Sequence, residues 1–387
     1  MTDNVPVWDD APWTPLPRLE GDVTADVCVV GLGGSGLSAA GELLGVGASV
    51  VGIDAGMVGG GAAGRNGGFL LAGIAAFHHD AARELGRERA ARIYRLTIDE
   101  LERIAAETPD AVRRTGSLRV AASADEAADC DAQLAAMRAD GLPVEPYEGP
   151  EGRGLLFPLD ASFQPLRRCR TLATRAIAAG ARLFEHSPAV SISGAAVATP
   201  AGTIRCGAVI VAVDGRLERL LPELEGRVRT ARLQMLATGP APEVSIPRPV
   251  YSRYGYEYWQ QLPDGRVTLG GFRDHALDAE WTHAAEPTDF MQSLLERFLR
   301  ETIGVRATVT HRWAASVGYS STLLPVLDEV RPRVWAAGGY RGTGNVVGAL
   351  CGRAAAQLAL TGTSPIADAL AEHPADHPAA PTSAAAS

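Results

Sequence analysis

The run Asp26-Val27-Cys28-Val29-Val30 leads directly into Gly31-Leu32-Gly33-Gly34-Ser35-Gly36, and no other feature constrains the fold as tightly. The short apolar run reads as a buried strand. Gly31, Gly33 and Gly36 stand at the spacing G-x-G-x-x-G, and each position has its own reason to lack a side chain. Gly31 permits the tight strand-to-helix turn, Gly33 lets a pyrophosphate approach the backbone, and Gly36 lets the helix pack closely on the strand. A helix is expected from about Gly33 to Leu44, and a second strand from Ala48 to Asp54 completes a β-α-β unit. Phosphates would sit at the helix N-terminus, where free N–H groups and the dipole favour anions. Asp54, ending the second strand, is placed to accept hydrogen bonds from a ribose diol.

Only one such fingerprint occurs, so one dinucleotide is expected. After Asp54 the chain continues Ala-Gly-Met-Val-Gly-Gly-Gly-Ala-Ala-Gly-Arg-Asn-Gly-Gly, a second glycine-rich stretch. Such loops line a long extended cofactor, since glycine allows backbone contact on both sides. A third glycine turn, Gly338-Gly339-Tyr340-Arg341-Gly342-Thr343-Gly344, precedes a helix near the C-terminal end. Its N-terminus is suited to the negative charge that reduction leaves on a flavin ring. Three glycine turns in these places fit FAD better than NAD.

The chain has 387 residues, enough for two lobes. Its net charge of −9 argues against a nucleic-acid binder. All 36 basic residues are arginine, so no lysine Schiff base or lysine general base is available. Cys28, Cys130, Cys169, Cys206 and Cys351 are scattered, without metal-ligand spacing, and fit thiols in a reducing compartment. The N-terminal segment shows no signal pattern and no apolar run is long enough to span a bilayer, so a cytoplasmic protein with no membrane partner is expected.

Further along, residues 81–110 and 124–140 read as amphipathic helices, 168–181 as a helix stopped at Gly180, and 204–213 as an apolar strand. Residues 250–273 read as a hairpin closed by Pro263-Asp264-Gly265, and 333–360 as strand, glycine turn and helix. Nucleotide-type elements thus occur in three separated blocks. The expected fold is α/β: a discontinuous Rossmann-like FAD-binding domain (24–80, 155–220, 325–364) and a mixed-sheet substrate domain (81–154, 221–324). Residues 1–23 form an extended arm in this reading, and the Ala/Pro/Ser/His-rich segment 365–387 is expected to be disordered.

Taken together, these motifs resemble the D-amino-acid oxidase/glycine oxidase/sarcosine oxidase superfamily of flavoproteins, closest to its γ-glutamylputrescine oxidoreductase-like branch. The likeness is carried by residues 21–40, by GGGAAGRNGG (59–68), by 157–190, and by PDGRVTLGGF, HRWAASVGYSSTLLPVL and VWAAGGYRGTGN further on. It implies a two-domain fold, FAD, and oxidation of a C–N bond to an imine that water hydrolyses. By position it implies cofactor contacts at Gly31, Gly33, Gly36 and Asp54, and at Arg65, Asn66, Gly67 and Gly68. Backbone near Val190, with Ala212 and Val213, would flank adenine and ribose, while Gly339, Gly342, Thr343 and Gly344 would lie near the flavin ring. Relatives attach flavin through a histidine or a cysteine at positions held here by Gly61 and Val317, so a non-covalent FAD is expected. Val317 also stands where some relatives place the arginine that clamps a substrate carboxylate, which a valine cannot do.

That substitution turns the expectation from α-amino acids towards a small amine, unless Arg253, Arg273 or Arg341 takes over the clamp. The substrate pocket is expected around Tyr254, Tyr256 and Tyr258, read as one strand face, with Val317, Tyr319 and Arg341. Such a face either suits a cationic amine or simply stacks across a sheet. His78 and His79 read as a helix start or as groups near the site; His275 is equally open, and Glu257 falls off the tyrosine face. No catalytic base is assigned. Relatives of the sarcosine oxidase type use a lysine for oxygen activation, which this chain lacks, so O2 or another electron acceptor stands open. Two other readings remain: an amino-acid oxidase with a substitute arginine, and a non-catalytic or partner-dependent flavoprotein subunit.

Overall fold

The structure, a computed structural model, describes residues 2–370. Strand β1 (Val23–Val30), helix α1 (Gly34–Gly45) and strand β2 (Val50–Ile53) form the expected β-α-β unit. Beyond them, helix α2 (Pro165–Ala178) packs on α1 and leads, through Gly180 at φ 96°, into the strand Arg182–Phe184. That strand, β2, β1 and β3 (Gly202–Val211) lie side by side in parallel. Val29, Val51, Val209, Ile210 and Val211 are fully buried, as expected of parallel strands covered on both faces.

A second sheet of nine strands stands apart from the first. Its centre is made by β4 (Val228–Pro240), β5 (Glu257–Gln261), β6 (Arg266–Gly271) and β7 (Val309–Ser320), in the order β7-β4-β6-β5. One face is closed by helix α3 (Asp289–Phe298), whose Met291 and Leu295 pack against Leu236, Trp259 and Leu269. The opposite face carries Trp313, Met235, Gly270 and Tyr258 in register across the four strands. Strand Thr2–Asp3 of the N-terminal arm pairs with β7 at the sheet edge.

The hairpin at 257–271 forms as expected, but the stretch before it does not continue the strand. Arg253, Tyr254 and Gly255 have φ of 49°, 57° and 86°, and this left-handed turn folds Val250–Ser252 back antiparallel on β5. Tyr254, Tyr256 and Tyr258 therefore do not share a strand face, which corrects the alternation read from the sequence.

The chain finally returns to the first sheet. Strand β8 (Val334–Gly338) adds parallel to β3, and helix α4 (Val347–Thr361) packs against α1. A Cβ on Gly352 would lie 2.0 Å from the Ser35 carbonyl, so glycine sets how closely these helices approach. Residues Pro365–Leu370 form a short helix rather than a disordered start of the tail. Ala369 and Leu370 are buried in the core beside α1 and α4, and Arg89 Nε donates to the Ala369 carbonyl. The expectation for 371–387 lies outside the described residues. Among the described residues no helix is long and apolar enough to cross a membrane.

Candidate active site at the junction of the two sheets

The first glycine turn is shaped by backbone that leaves no room for side chains. Gly31 has φ 104°, and a Cβ there would come within 2.6 Å of the Ala212 carbonyl and 2.9 Å of the Val213 side chain. A Cβ on Gly36 would lie 1.9 Å from the Gly31 carbonyl, which is the helix-on-strand closeness that the spacing implies. Helix α1 starts with no side-chain cap and no acidic residue in its first turn. Its leading N–H groups and positive dipole end are thus unopposed, as a phosphate site requires. Asp54 props this turn: its carboxylate accepts from Leu32 N and Gly56 N, each at 2.8 Å. Burial pushes its pKa up. Each oxygen keeps a second lone pair, so a ribose hydroxyl still has an acceptor.

The second and third glycine segments are tied to the first by specific hydrogen bonds. The hydroxyls of Ser35 and Tyr340 lie 2.8 Å apart, and Asn66 Nδ2 donates to Asn345 Oδ1 at 2.9 Å. Ala63 stands 3.1 Å from where a Gly33 Cβ would be. Arg65 spends its guanidinium on the Ala314 carbonyl and on Asn4, so it fixes the loop to β7 and the arm. Two indoles hold the same loop: Trp8 Nε1 donates to Asn66 O and Trp313 Nε1 to Arg65 O, both at 2.7 Å. Gly68 has φ 74°, and a Cβ there would meet Gln260, the Phe163 carbonyl and Trp8 within 2.8 Å. In the third turn Gly339 and Gly342 have φ of 70° and 92°, and Thr343 Oγ1 donates to Tyr340 O. A Gly344 Cβ would press on the Tyr340 ring at 3.0 Å. Asp214 accepts from Tyr340 N and Gly318 N, each at 3.0 Å, and burial pushes its pKa up to about 6.

Ala212 and Val213 adjoin Gly31, whereas Val190 is exposed and its N–H is taken by the Ala198 carbonyl. A glycine cradle, an uncapped helix start and an acid at the end of β2 are the parts a dinucleotide needs, so these residues fit FAD.

Across from the glycine loops stands the face of the second sheet. The Tyr258 ring packs over Gly67 and Gly270: a Cβ on either would lie 3.1 or 2.4 Å from it. Burial raises the pKa of Tyr258, opposed by the charge of Arg273. On β7, Trp313, Ala315, Val317 and Tyr319 alternate onto the same side. Arg273, just past β6, is 8% exposed and has its guanidinium carbon 4.7 Å from the ring centres of both Tyr319 and Trp281 and 6.0 Å from that of Tyr256.

Other expected residues point elsewhere. Tyr254 is exposed and donates to Asp129 on a surface helix. Arg341 donates to the Ser320 and Thr322 carbonyls, and Arg253 pairs with Asp274 and Glu257. His78 starts the helix His78–Leu85 and pairs with Asp140, and His275 lies against Arg253 and Phe272. Trp281, Asp214, Asn345 and Trp8 had no assigned role in the sequence reading. Asn345 directly follows the third glycine turn and Asp214 ends an apolar strand, so position gave a signal for both; Trp281 gave none.

Residues 26–358 match the family model described as FAD dependent oxidoreductase. The chain is 30% identical over 375 residues to a probable oxidoreductase OrdL of Rhizobium meliloti (strain 1021), covering 89% of this chain and 85% of that protein. It is 27% identical over 398 residues to the gamma-glutamylputrescine oxidoreductase of Escherichia coli (strain K12), covering 94% and 89%. Among solved structures it is similar to the L-proline dehydrogenase of P. horikoshii, with a TM-score of 0.72 at 19% identity, covering 91% and 96%.

Proposed function

The chain belongs to the family of FAD-dependent oxidoreductases, and on that premise we propose that it oxidises the C–N bond of a small amine to an imine, which water then hydrolyses. FAD, when bound, supplies at its N5 the acceptor for the hydride that leaves the carbon beside nitrogen. One observation carries this reading: the three glycine segments are joined by the Ser35–Tyr340 and Asn66–Asn345 bonds, directly opposite the face bearing Tyr258 and Tyr319. The name of the gamma-glutamylputrescine oxidoreductase relative supports an amine as substrate.

In this function the cradle at Gly31, Gly33 and Gly36 and the α1 N-terminus would hold the pyrophosphate, and Asp54 would accept from the ribose. The cofactor-binding portion comprises 24–80, 155–220 and 325–364. Tyr258, Val317 and Tyr319 exclude water from the reacting carbon. A desolvated site favours the neutral amine, whose lone pair drives hydride loss, so no dedicated base is required. Gly61 and Val317 offer no nucleophile, which makes the flavin dissociable. The enzyme works in the cytoplasm, and its electron acceptor is O2 or another oxidant.

The test is an anaerobic screen of flavin bleaching with amines, polyamines, amino acids and amino sugars, followed by admission of air. Bleaching by an amine is expected. Bleaching by none of them overturns C–N oxidation, and a reduced flavin that stays reduced in air makes the enzyme a dehydrogenase.

A further inference from the structure

We propose that Arg273 binds a carboxylate of the substrate, so that the amine oxidised here is an amino carboxylate gripped from β6 rather than from β7. The inference rests on the amine-oxidising reading above and names its substrate class.

The sequence offers Arg253, Arg273 and Arg341 in place of Val317, and the structure separates them. Arg253 is neutralised by Asp274 and Glu257. Arg341 turns back onto the carbonyls of Ser320 and Thr322. Arg273 is different. Its Nε and Nη1 are buried and make no hydrogen bond, and among the described residues no carboxylate pairs with it. A guanidinium never gives up its charge, and burying one without an anion is costly. Its surroundings are aromatic: Trp281 and Tyr319 at 4.7 Å and Tyr256 at 6.0 Å. These rings hold a cation in place by their faces, and neither the Nε nor the Nη1 of Arg273 hydrogen-bonds to them. The missing partner is a planar anion, which a bidentate carboxylate matches.

The same geometry revises what the tyrosines do. An empty aromatic cage would suit a cationic amine, but this cage already contains the protein's own cation. A substrate ammonium would be repelled there, while a carboxylate would be drawn in. The site lies on the sheet face that meets the glycine loops, because Tyr319 bridges to Tyr340 of the third turn and the charge of Arg273 is felt at both Tyr258 and Tyr319.

The test has two arms on the flavin-loaded enzyme. In the first, propionate and the isosteric neutral propionamide are titrated in, and binding is read from the flavin absorption spectrum. Propionate is expected to bind the wild type about 100-fold more tightly than propionamide, with the gap lost in Arg273→Gln and partly kept in Arg273→Lys. In the second, anaerobic flavin reduction is compared within the pairs sarcosine and dimethylamine, glycine and methylamine, and 4-aminobutyrate and butylamine. The carboxylated member is expected to win in the wild type and to lose that advantage in Arg273→Gln. Equal binding of propionate and propionamide to the wild type overturns the proposal, as does an undiminished preference in Arg273→Gln. If no amine bleaches the flavin, the C–N reading fails, yet the propionate arm still decides Arg273. Should Arg273→Gln lose its flavin or fold, the wild-type comparison of propionate with propionamide decides alone.

Discussion

At the scale of single residues, Gly36 and Asp160 make opposite demands. Gly36 has ordinary backbone angles, so its need is purely spatial: a methyl group would sit 1.9 Å from the Gly31 carbonyl. Because both atoms belong to or hang from main chain, no side chain can move aside. Gly36→Ala should cost about 3 kcal/mol or more and empty the flavin site, read as a lower melting temperature and a lower ratio of flavin to protein absorbance. Asp160 is a buried carboxyl, 3% exposed, that accepts from Ser117 Oγ and Ala72 N. Burial pushes its pKa up to about 7, against which the hydrogen bonds and Arg119 pull only partly. The native state therefore binds this proton more tightly than the unfolded chain. The resulting burden is absent below the ordinary value of 3.8, grows as pH rises, and is complete above about 7. Asp160→Asn should therefore gain on the wild type by on the order of 3 kcal/mol between about pH 4 and about pH 8 in urea unfolding. A parallel pH dependence in the two proteins would show that Asp160 titrates normally.

Between elements, the joint most exposed to disruption lies where the helix Arg87–Glu107 crosses α4. Arg353 is 2% exposed and pairs with Glu100, itself 3% exposed, and with Glu107 and Glu42 at the margin. Desolvation raises the Glu100 pKa and Arg353 holds it down. Removing one partner strands the other, so Arg353→Met should cost about 3–5 kcal/mol, and adding Glu100→Leu should recover most of it. Chemical denaturation of the single and double variants checks this; a double variant no better than the single would mean that packing, not charge, sets the loss. Elements of this kind were unevenly legible beforehand. The β-α-β unit and the 257–271 hairpin announce themselves through local period and turn chemistry. The break at 253–255 does not, because Arg253 and Tyr254 adopt left-handed angles that their side chains do not favour and that the surrounding pairing and the distant Glu126 carboxylate, which accepts from both N–H groups, impose. The unpaired state of Arg273 is likewise invisible in sequence: beside Asp274 it looks neutralised, yet Asp274 is engaged by Arg253.

For the whole molecule, the proposed cofactor site is an assembly of distant chain segments, and that has a thermodynamic consequence. The turns at 31–36, 65–68 and 338–345 are far apart in sequence, and side-chain bonds such as Ser35–Tyr340 and Asn66–Asn345 bring them together. An unfolded chain cannot present all three at once, so FAD binds the native state alone and stabilises it by mass action. Stability should rise by about 1.4 kcal/mol for every tenfold of free FAD above its dissociation constant. Such dependence requires a flavin that comes and goes, as we propose from Gly61 and Val317, and acid precipitation should then leave the yellow colour in the supernatant. In Asn345→Ala one strut between the second and third turns is lost without touching the phosphate cradle. Its flavin-free melting temperature should stay close to wild type while the FAD concentration needed for a given rise in melting temperature increases about tenfold. An equal drop in both states would place Asn345 in the general core; a drop confined to the FAD-bound state would mark it as part of the device that holds the three turns around the cofactor.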